Sequence, residues 1–322
     1  MLKGQGTIFN VIKCKNNDEW LAQRKLGVGG SDVAALVGAS PWISPTSLYL
    51  EKIGQPLPND LDESGPVNFG NDFEDTVRKK FAETHPDLIV RKVNAILQNK
   101  NKPWLQVSLD GEVYENKEWG ILEIKCPGSV AKWNDGIPPH YLAQAMYYMH
   151  NTKRKFCWFA VFFRDTCEYK WYRIDYDPDM GQALENAAND FWLNHVQKQI
   201  PPTDTFGAPD EAAALTQLHA KPSANFLHAE DDVNIADIVS AWEKAKTDED
   251  AASKEKTRLA NYLMQLIGDN KGLILSNARL TWVRGTTSTL DKRKLKLLYP
   301  NAIDECTDTK PRNMGLRLKK LS

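Results

Sequence analysis

The stretch that decides the fold is GILEIKCPGS, residues 120–129. Its apolar residues favour a β-strand, and the side chains of a strand alternate between the two faces of a sheet. Glu123 and Lys125 are therefore predicted to share one face, while Leu122 and Ile124 lie on the other. The question is why so apolar a strand carries an acid and a lysine side by side.

The flanking segments predict an α/β core of about 200 residues. In NDFEDTVRKKFAE, Phe73, Val77 and Phe81 recur every four residues, which predicts an amphipathic helix. LIVRKVNAIL, WLQVSLDGEVY and WGILEIKC then alternate or run apolar between polar turns, which indicates a three-stranded meander. PPHYLAQAMYYMHNT predicts a helix that begins at proline, and RKFCWFAVFF and CEYKWYRIDY predict two further strands.

The sequence changes in character near residue 205, where a stretch rich in Pro and Ala leads into charged helical sequence that ends at Gly268. We therefore predict one domain over residues 1–204 and a smaller helical or α+β appendage over residues 205–322. Ile235, Ile238, Trp242 and Ala245 are expected on one buried helical face. Residues 291–322 hold nine Lys or Arg against four Asp or Glu, which is typical of a surface that contacts DNA, a partner or a neighbouring subunit, or of a solvated face.

Composition sets the broad class. The chain has 322 residues, 42% of them hydrophobic and 26% charged, and its net charge of −1 argues neither for nor against nucleic acid. No apolar run approaches the roughly 18 residues that a membrane span needs, and the first residues lack the apolar region of a secretory signal. The five cysteines are scattered, which predicts free thiols in the cytoplasm and disfavours zinc or iron–sulfur ligation.

A candidate metal site combines two neighbouring strands. Asp110 ends one strand, in VSLDGEV, and Glu123 and Lys125 lie on the next. Antiparallel neighbours lie about 5 Å apart, so the three groups can meet at one point. Two carboxylates and the carbonyl of Ile124 are the hard oxygen ligands that Mg²⁺ or Mn²⁺ prefers. A metal there would activate water and stabilise charge on a phosphate, which indicates phosphodiester hydrolysis.

For the tripeptide Glu123–Lys125 alone, a purely structural interpretation is the more common one. Glu-x-Lys on an exposed strand is usually a solvated ion pair. Asp110 before it and a following helix that carries Gln144 favour the catalytic interpretation.

Five motifs in order carry a family resemblance: EWLAQRKLGVGGSD, NFGNDFE, SLDGEV, LEIKCP and YLAQAMYYM. The stretch from Trp20 to about Asp177 resembles the YqaJ and phage lambda exonuclease family of the PD-(D/E)xK nuclease superfamily. The resemblance covers about half of the chain. It implies a restriction-endonuclease-like α/β fold, with a mixed central sheet flanked by helices.

The resemblance also implies roles for individual residues. Asp110 and Glu123 match the metal-binding carboxylates and Lys125 the catalytic lysine, with one or two Mg²⁺ ions per site, for which Mn²⁺ can substitute. Glu74 matches a helix glutamate that helps to bind the second metal or its water, although a solvated glutamate is the ordinary interpretation. Gln144 matches a glutamine that reaches the active site from the following helix.

A second set of residues resembles a pocket for a DNA 5′ phosphate. Arg24 and Ser31 match the residues that recognise it in lambda-type exonucleases. Helix N-termini bind anions, and a guanidinium forms a fork suited to phosphate. The alternative is a capped helix, with Ser31 or Asp32 as its N-cap, beside a surface arginine. Trp42, in a nearby loop, either stacks against a DNA end or packs in the core, and packing is the ordinary outcome.

The resemblance implies a metal-dependent DNA exonuclease that acts 5′ to 3′ on linear double-stranded DNA in a bacterial or phage-infected cell. It would leave 3′ overhangs for phage-type recombination, hand them to a single-strand annealing protein, and assemble as a homo-oligomeric ring such as a trimer. Two alternatives are a PD-(D/E)xK endonuclease of restriction or resolvase type and a non-catalytic DNA-binding module. The 5′-phosphate pocket and the intact Asp110, Glu123 and Lys125 argue against them.

Overall fold

A computed structural model describes residues 8–55, 57, 65–221, 223–229, 232–286 and 290–301. Within these residues the chain divides into two compact units, and the division falls after Ala220 rather than after residue 204. The helix Glu211–Leu218 explains the difference, because it packs on the helix Pro45–Lys52 of the first unit. Two long-range bonds hold this segment: Ser44 N donates to Asp210 Oδ1 and Gln217 Nε2 donates to the carbonyl of Gln55.

The described elements of the first unit are the strands β1 (Phe9–Ile12), β2 (Ile89–Lys92), β3 (Ile96–Asn99), β4 (Gln106–Ser108), β5 (Gly111–Glu115), β6 (Glu118–Lys125), β7 (Phe156–Phe163) and β8 (Glu168–Asp175), and the helices α1 (Asn17–Arg24), α2 (Gly30–Leu36), α3 (Pro45–Lys52), α4 (Gly65–Thr84), α5 (Pro139–Thr152), α6 (Pro178–Asp190) and α7 (Glu211–Leu218). The second unit contains α8 (Val233–Ile267), the hairpin β9 (Gly272–Ile274) and β10 (Arg279–Thr281), and α9 (Lys292–Leu298).

A five-stranded mixed sheet in the order β2-β5-β6-β7-β8 forms the centre of the first unit. β6 and β7 are parallel and the other neighbours are antiparallel. Parallel neighbours need a crossover connection, and α5 lies within it. The predicted α/β fold, a mixed central sheet flanked by helices with a smaller C-terminal unit, is confirmed.

The two faces of β6 pack against different helices, as the alternation of its side chains predicts. Leu122 and Ile124 belong to an apolar cluster with Val77 and Phe81 of α4. Ile121 belongs to the larger cluster, which contains residues of α2, α5 and α6. Glu123 and Lys125 therefore lie on the face that α5 covers.

The predicted meander is wrong in its pairing. LIVRKVNAIL divides into β2 and β3, and WLQVSLDGEVY divides into β4 and β5 on either side of Leu109 and Asp110. β3 and β4 join β1 in a separate antiparallel sheet, whereas β2 and β5 enter the central sheet. The alternation of side chains along a strand does not specify its partner strand. The sequence therefore does not reveal that these segments divide between two sheets. Asp110 consequently lies where the chain passes from one sheet to the other.

The second unit contains the predicted helical sequence as a single helix, α8, which ends at Gly268 as expected. The expected burial of its apolar face is wrong among the described residues, since Ile235 is 38% and Ile238 59% exposed. Of the basic segment 291–322, residues 302–322 lie outside the described residues. Within the part of the chain that the structure describes, every helix is too short or too polar to cross a bilayer.

Candidate active site

The β5–β6 pairing brings the three predicted catalytic groups together. Gly111 pairs with Leu122, which places Asp110 opposite Glu123. Asp110 Oδ2 accepts a 2.7 Å hydrogen bond from the backbone N–H of Ile124. Lys125 Nζ lies 2.9 Å from Glu123 Oε2. Two carboxylates and an ammonium group thus converge at one end of the central sheet.

Glu123 is the most buried charged group of this site. Its side chain is 0% exposed, and its Oε1 has no hydrogen-bond partner among the described residues. Burial raises the pKa of Glu123 to about 8, against the attraction of Lys125, and Asp110 and Glu74 raise it further. Burial by itself lowers the pKa of Lys125, but the Glu123 and Asp110 carboxylates outweigh it and the pKa is raised.

This donor set fits a hard divalent cation. A buried carboxylate oxygen without a partner is costly, and a bound cation relieves that cost. Asp110, Glu123 and the carbonyl of Ile124 supply the oxygen donors that Mg²⁺ prefers. As their side chains lie, no three His, Cys, Asp or Glu residues of the described ranges converge on one point. The fit therefore rests on two carboxylates.

Glu74 approaches this group from α4, on the face of the sheet opposite to α5. α4 packs on the Leu122 face of β6, and Glu74 Oε1 lies 3.7 Å from Arg78 Nη1 and 3.5 Å from Lys92 Nζ. Burial and the nearby Asp110 raise the pKa of Glu74. The Glu74 carboxylate is thus close enough to Asp110 to be repelled by its charge, and it forms ion pairs with basic residues.

Gln144 connects this site to the start of α2. Its Nε2 lies 3.4 Å from Tyr148 Oη, so the amide donates to a phenol and not to a carboxylate. A Cβ atom at Gly30 would lie 2.5 Å from the Tyr148 ring and 2.9 Å from Gln144 Cγ. Only glycine fits there, and α5 and α2 meet at this point.

The second predicted set is also brought together. Arg24 Nη2 donates to Ser31 Oγ at 2.5 Å and lies 3.2 Å from Asp32 Oδ1. The N-cap of α2 is Gly29, not Ser31 or Asp32, and the backbone N–H of Gly29 donates to Asp32 Oδ2. The predicted cap therefore lies inside the helix. Asp32 is the third helical residue, and its carboxylate accepts from the N-cap N–H as the acid of a capping box does.

Lys52 completes this cluster. Its side chain is 0% exposed, and its Nζ lies 2.8 Å from Asp32 Oδ2 and 3.2 Å from the carbonyl of Arg24. Burial raises the pKa of Asp32, but Lys52 and Arg24 outweigh it and the pKa is lowered. Lys52 Nζ also lies 3.4 Å from Glu51 Oε1. The cluster thus pairs two cations, Arg24 and Lys52, with two carboxylates.

Part of the first unit resembles a known domain family. Residues 19–155 match the sequence model of the YqaJ-like viral recombinase domain. Residues 19–155 therefore resemble a YqaJ-like viral recombinase domain. Over 311 residues the chain is 26% identical to the uncharacterized protein YqaJ of Bacillus subtilis strain 168, which covers 94% of either protein.

Solved structures of similar chains are more distant from this recombinase domain. An alkaline exonuclease from Laribacter hongkongensis is 22% identical, with a TM-score of 0.46, over 57% of this chain and 94% of that one. A phage-related exonuclease from Haemophilus somnus 129PT is 12% identical, with a TM-score of 0.41, over 54% and 96%.

Three residues that belong to the second cluster or lie between the two clusters were not predicted as site residues from the sequence. The sequence indicates only a capping role for Asp32 and gives no role to Lys52 or Tyr148. Burial raises the pKa of Tyr148, Glu123 adds to the rise, and Arg24 opposes it. Tyr148 therefore lies within electrostatic range of both sets. The acid three residues after Gly29 was a signal for Asp32, whereas a buried lysine has no local signal.

Proposed function

We propose that this chain is a Mg²⁺-dependent DNA exonuclease that degrades linear double-stranded DNA from its 5′ ends. The observation that carries the proposal is the fully buried Glu123, with one oxygen unpartnered, opposite Asp110 and beside Lys125. The viral recombinase domain supports DNA as the substrate, with recombination through 3′ overhangs as its use.

Asp110, Glu123 and the carbonyl of Ile124 would hold the metal, which when bound supplies a Lewis acid for the phosphate and lowers the pKa of water. Lys125 acts as a cation in this proposal. Its raised pKa keeps the ammonium group protonated at neutral pH, so it donates hydrogen bonds to phosphate oxygens and stabilises the negative charge that develops on them. The buried β6 strand holds Glu123 and Lys125 rigidly, which such electrostatic stabilisation requires.

The 5′ polarity is proposed from the second cluster. Arg24 and Ser31 offer a guanidinium and a hydroxyl within 2.5 Å of each other, and Lys52 offsets the charge of Asp32. A terminal phosphate carries more negative charge than an internal one, so the partly exposed Arg24 guanidinium favours the end of a strand. With a 5′ phosphate held there, the strand passes Gln144 and Tyr148 towards Glu123.

The proposal includes an assembled form. We propose a homo-oligomeric ring, such as a trimer, that encircles DNA and passes its 3′ strand to a single-strand annealing protein. The mass of the full-length protein in solution, measured by light scattering, tests the ring. A monomer at all concentrations would contradict it.

Three substrates test the proposed reaction. Linear duplex with 5′ phosphates, linear duplex with 5′ hydroxyls and closed circular duplex are incubated with the full-length protein and Mg²⁺, and with EDTA as control. We expect rapid loss of the 5′-phosphorylated strand, slower loss of the hydroxyl form, an intact circle and no loss in EDTA. Cleavage of the circle would indicate an endonuclease, and binding without cleavage of any substrate would indicate a non-catalytic module.

A further inference from the structure

Trp42 is displayed on a rigid turn and is not packed in the core. The indole is 47% exposed. After α2, the backbone N–H groups of Ala39 and Ser40 both donate to the carbonyl of Ala34, at 2.9 and 3.0 Å. Ser40 Oγ then accepts from the N–H of Trp42 at 3.3 Å and of Ile43 at 3.1 Å. These hydrogen bonds fix the backbone of the turn that carries the exposed indole.

An aromatic row links Trp42 to the catalytic lysine. The Trp42 and His140 rings contact edge to face with centroids 4.8 Å apart, and His140 and Tyr141 have centroids 4.0 Å apart. Lys125 Nζ lies 5.1 Å from the centre of the Tyr141 ring. Trp42 therefore lies at the rim of the candidate active site, two rings away from Lys125.

The His140 ring that contacts the Trp42 indole is uncharged at neutral pH. Burial lowers the pKa of His140 to about 4, and Lys125 and Lys132 contribute to the shift. Its Nε2 is buried and has no hydrogen-bond partner among the described residues. A neutral ring at this place leaves Trp42 as an apolar stacking surface, since it adds no charge that would attract phosphate to it.

We infer that Trp42 is a stacking platform for a nucleobase at the DNA end that enters the site. The inference rests on the proposed function and adds a base-binding position to it. Bases stack on aromatic rings without regard to sequence, because each base has a π-face. A rigid platform loses little conformational entropy when the base binds. The expected packing of Trp42 in the core is wrong, and stacking is the alternative that its exposure favours.

The test separates stacking from catalysis. In a Lys125→Ala background with EDTA, where no cleavage is expected, blunt duplex with 2-aminopurine at the terminal base pair reports stacking through quenched fluorescence. We expect Trp42→Leu to abolish the added quenching and to weaken end binding about tenfold. Trp42→Phe keeps a π-face and should retain most of both. Unchanged quenching and affinity in Trp42→Leu would overturn the inference.

Two further measurements keep the outcomes distinct. Thermal unfolding of both variants should match that of the parent, because Trp42 is half exposed. If Trp42→Leu instead lowers the mass of the assembly and leaves the quenching intact, Trp42 contacts a second copy of the chain and the inference fails. Digestion of linear duplex with Mg²⁺ is measured separately with the protein that retains Lys125. Failure of the exonuclease proposal is therefore distinguished from failure of the stacking inference.

Discussion

The backbone N–H of Ile124 donates a 2.7 Å hydrogen bond to Asp110 Oδ2 and so ties the residue before β5 to the end of β6. Lys125 Nζ likewise engages Glu123 Oε2. Each carboxylate therefore has one oxygen that the protein holds, and no hydrogen bond reaches the other oxygen within the described residues. The protein thus fixes both carboxylates in place and leaves one oxygen of each available as a ligand for a cation.

Replacing Lys125 should remove most of the cleavage. We expect Lys125→Ala to slow digestion of 5′-phosphorylated linear duplex about 100- to 1000-fold, because a preorganised positive charge is lost beside the phosphate. The rate of nucleotide release at saturating Mg²⁺ measures it. Lys79→Ala, on the exposed side of α4, is the matched control and should leave the rate unchanged. Equal rates in the two variants would contradict the mechanism.

Replacing Arg24 should abolish the preference for phosphorylated ends. We expect Arg24→Gln to reduce the ratio of rates on 5′-phosphate and 5′-hydroxyl duplex about tenfold, since a charge-assisted bond to phosphate is worth about 1.5–3 kcal/mol. Initial rates on both substrates give the ratio. Arg258→Gln, which breaks an exposed ion pair with Glu255 on α8, should leave the ratio as it is. A loss of rate on both substrates alike would show that Arg24 does not select the end.

Lys52 should contribute to stability. Lys52→Met leaves the buried Asp32 with Arg24 as its only cation and should lower the free energy of unfolding by about 3–5 kcal/mol. Urea denaturation of the full chain measures the change. Lys80→Met breaks only the exposed pair with Glu83, and the expected cost is less than about 1 kcal/mol. Similar costs for both variants would show that the buried pair has no special role.

The half-buried His140 should make stability depend on pH. Burial lowers its pKa from 6.5 to about 4, so between these values the unfolded chain binds a proton that the folded chain does not. The contribution of His140 is complete above pH 6.5 and is lost as the pH falls towards 4. His140→Gln should flatten the decline of the unfolding temperature over this range. The exposed His219→Gln should not, and a decline that persists in His140→Gln would assign it to other groups.

Gly30 should be intolerant of substitution. A Cβ atom there would lie 2.5 Å from the Tyr148 ring, so Gly30→Ala should lower the free energy of unfolding by about 1–3 kcal/mol through overpacking. Gly70 in α4 has no atom within 4 Å of the same position. Gly70→Ala should therefore be neutral or stabilise by up to about 1 kcal/mol. Equal effects of the two substitutions, measured by denaturation, would contradict the close contact of α2 with α5.

Some features followed from the sequence because they are local. A period of two places Glu123 and Lys125 on one face of β6 and Leu122 on the other, and the structure packs these faces against α5 and α4. The helix that begins at proline and the two strands after it are also local patterns, and all three elements are present. Five ordered motifs indicated the family, which the match to the recombinase domain confirms.

Only the tertiary structure decided the rest, because it depends on contacts between distant residues. The exchange of strands at Asp110, the burial of Lys52 against Asp32 and the exposure of Trp42 each involve partners that no local pattern specifies. Hydrophobic periodicity predicts which side of an element is apolar, but not which neighbour covers it or whether any does. The sequence by itself determined which chemical groups this protein carries, and the packing of α2, α4 and α5 on the sheet decided which of them meet.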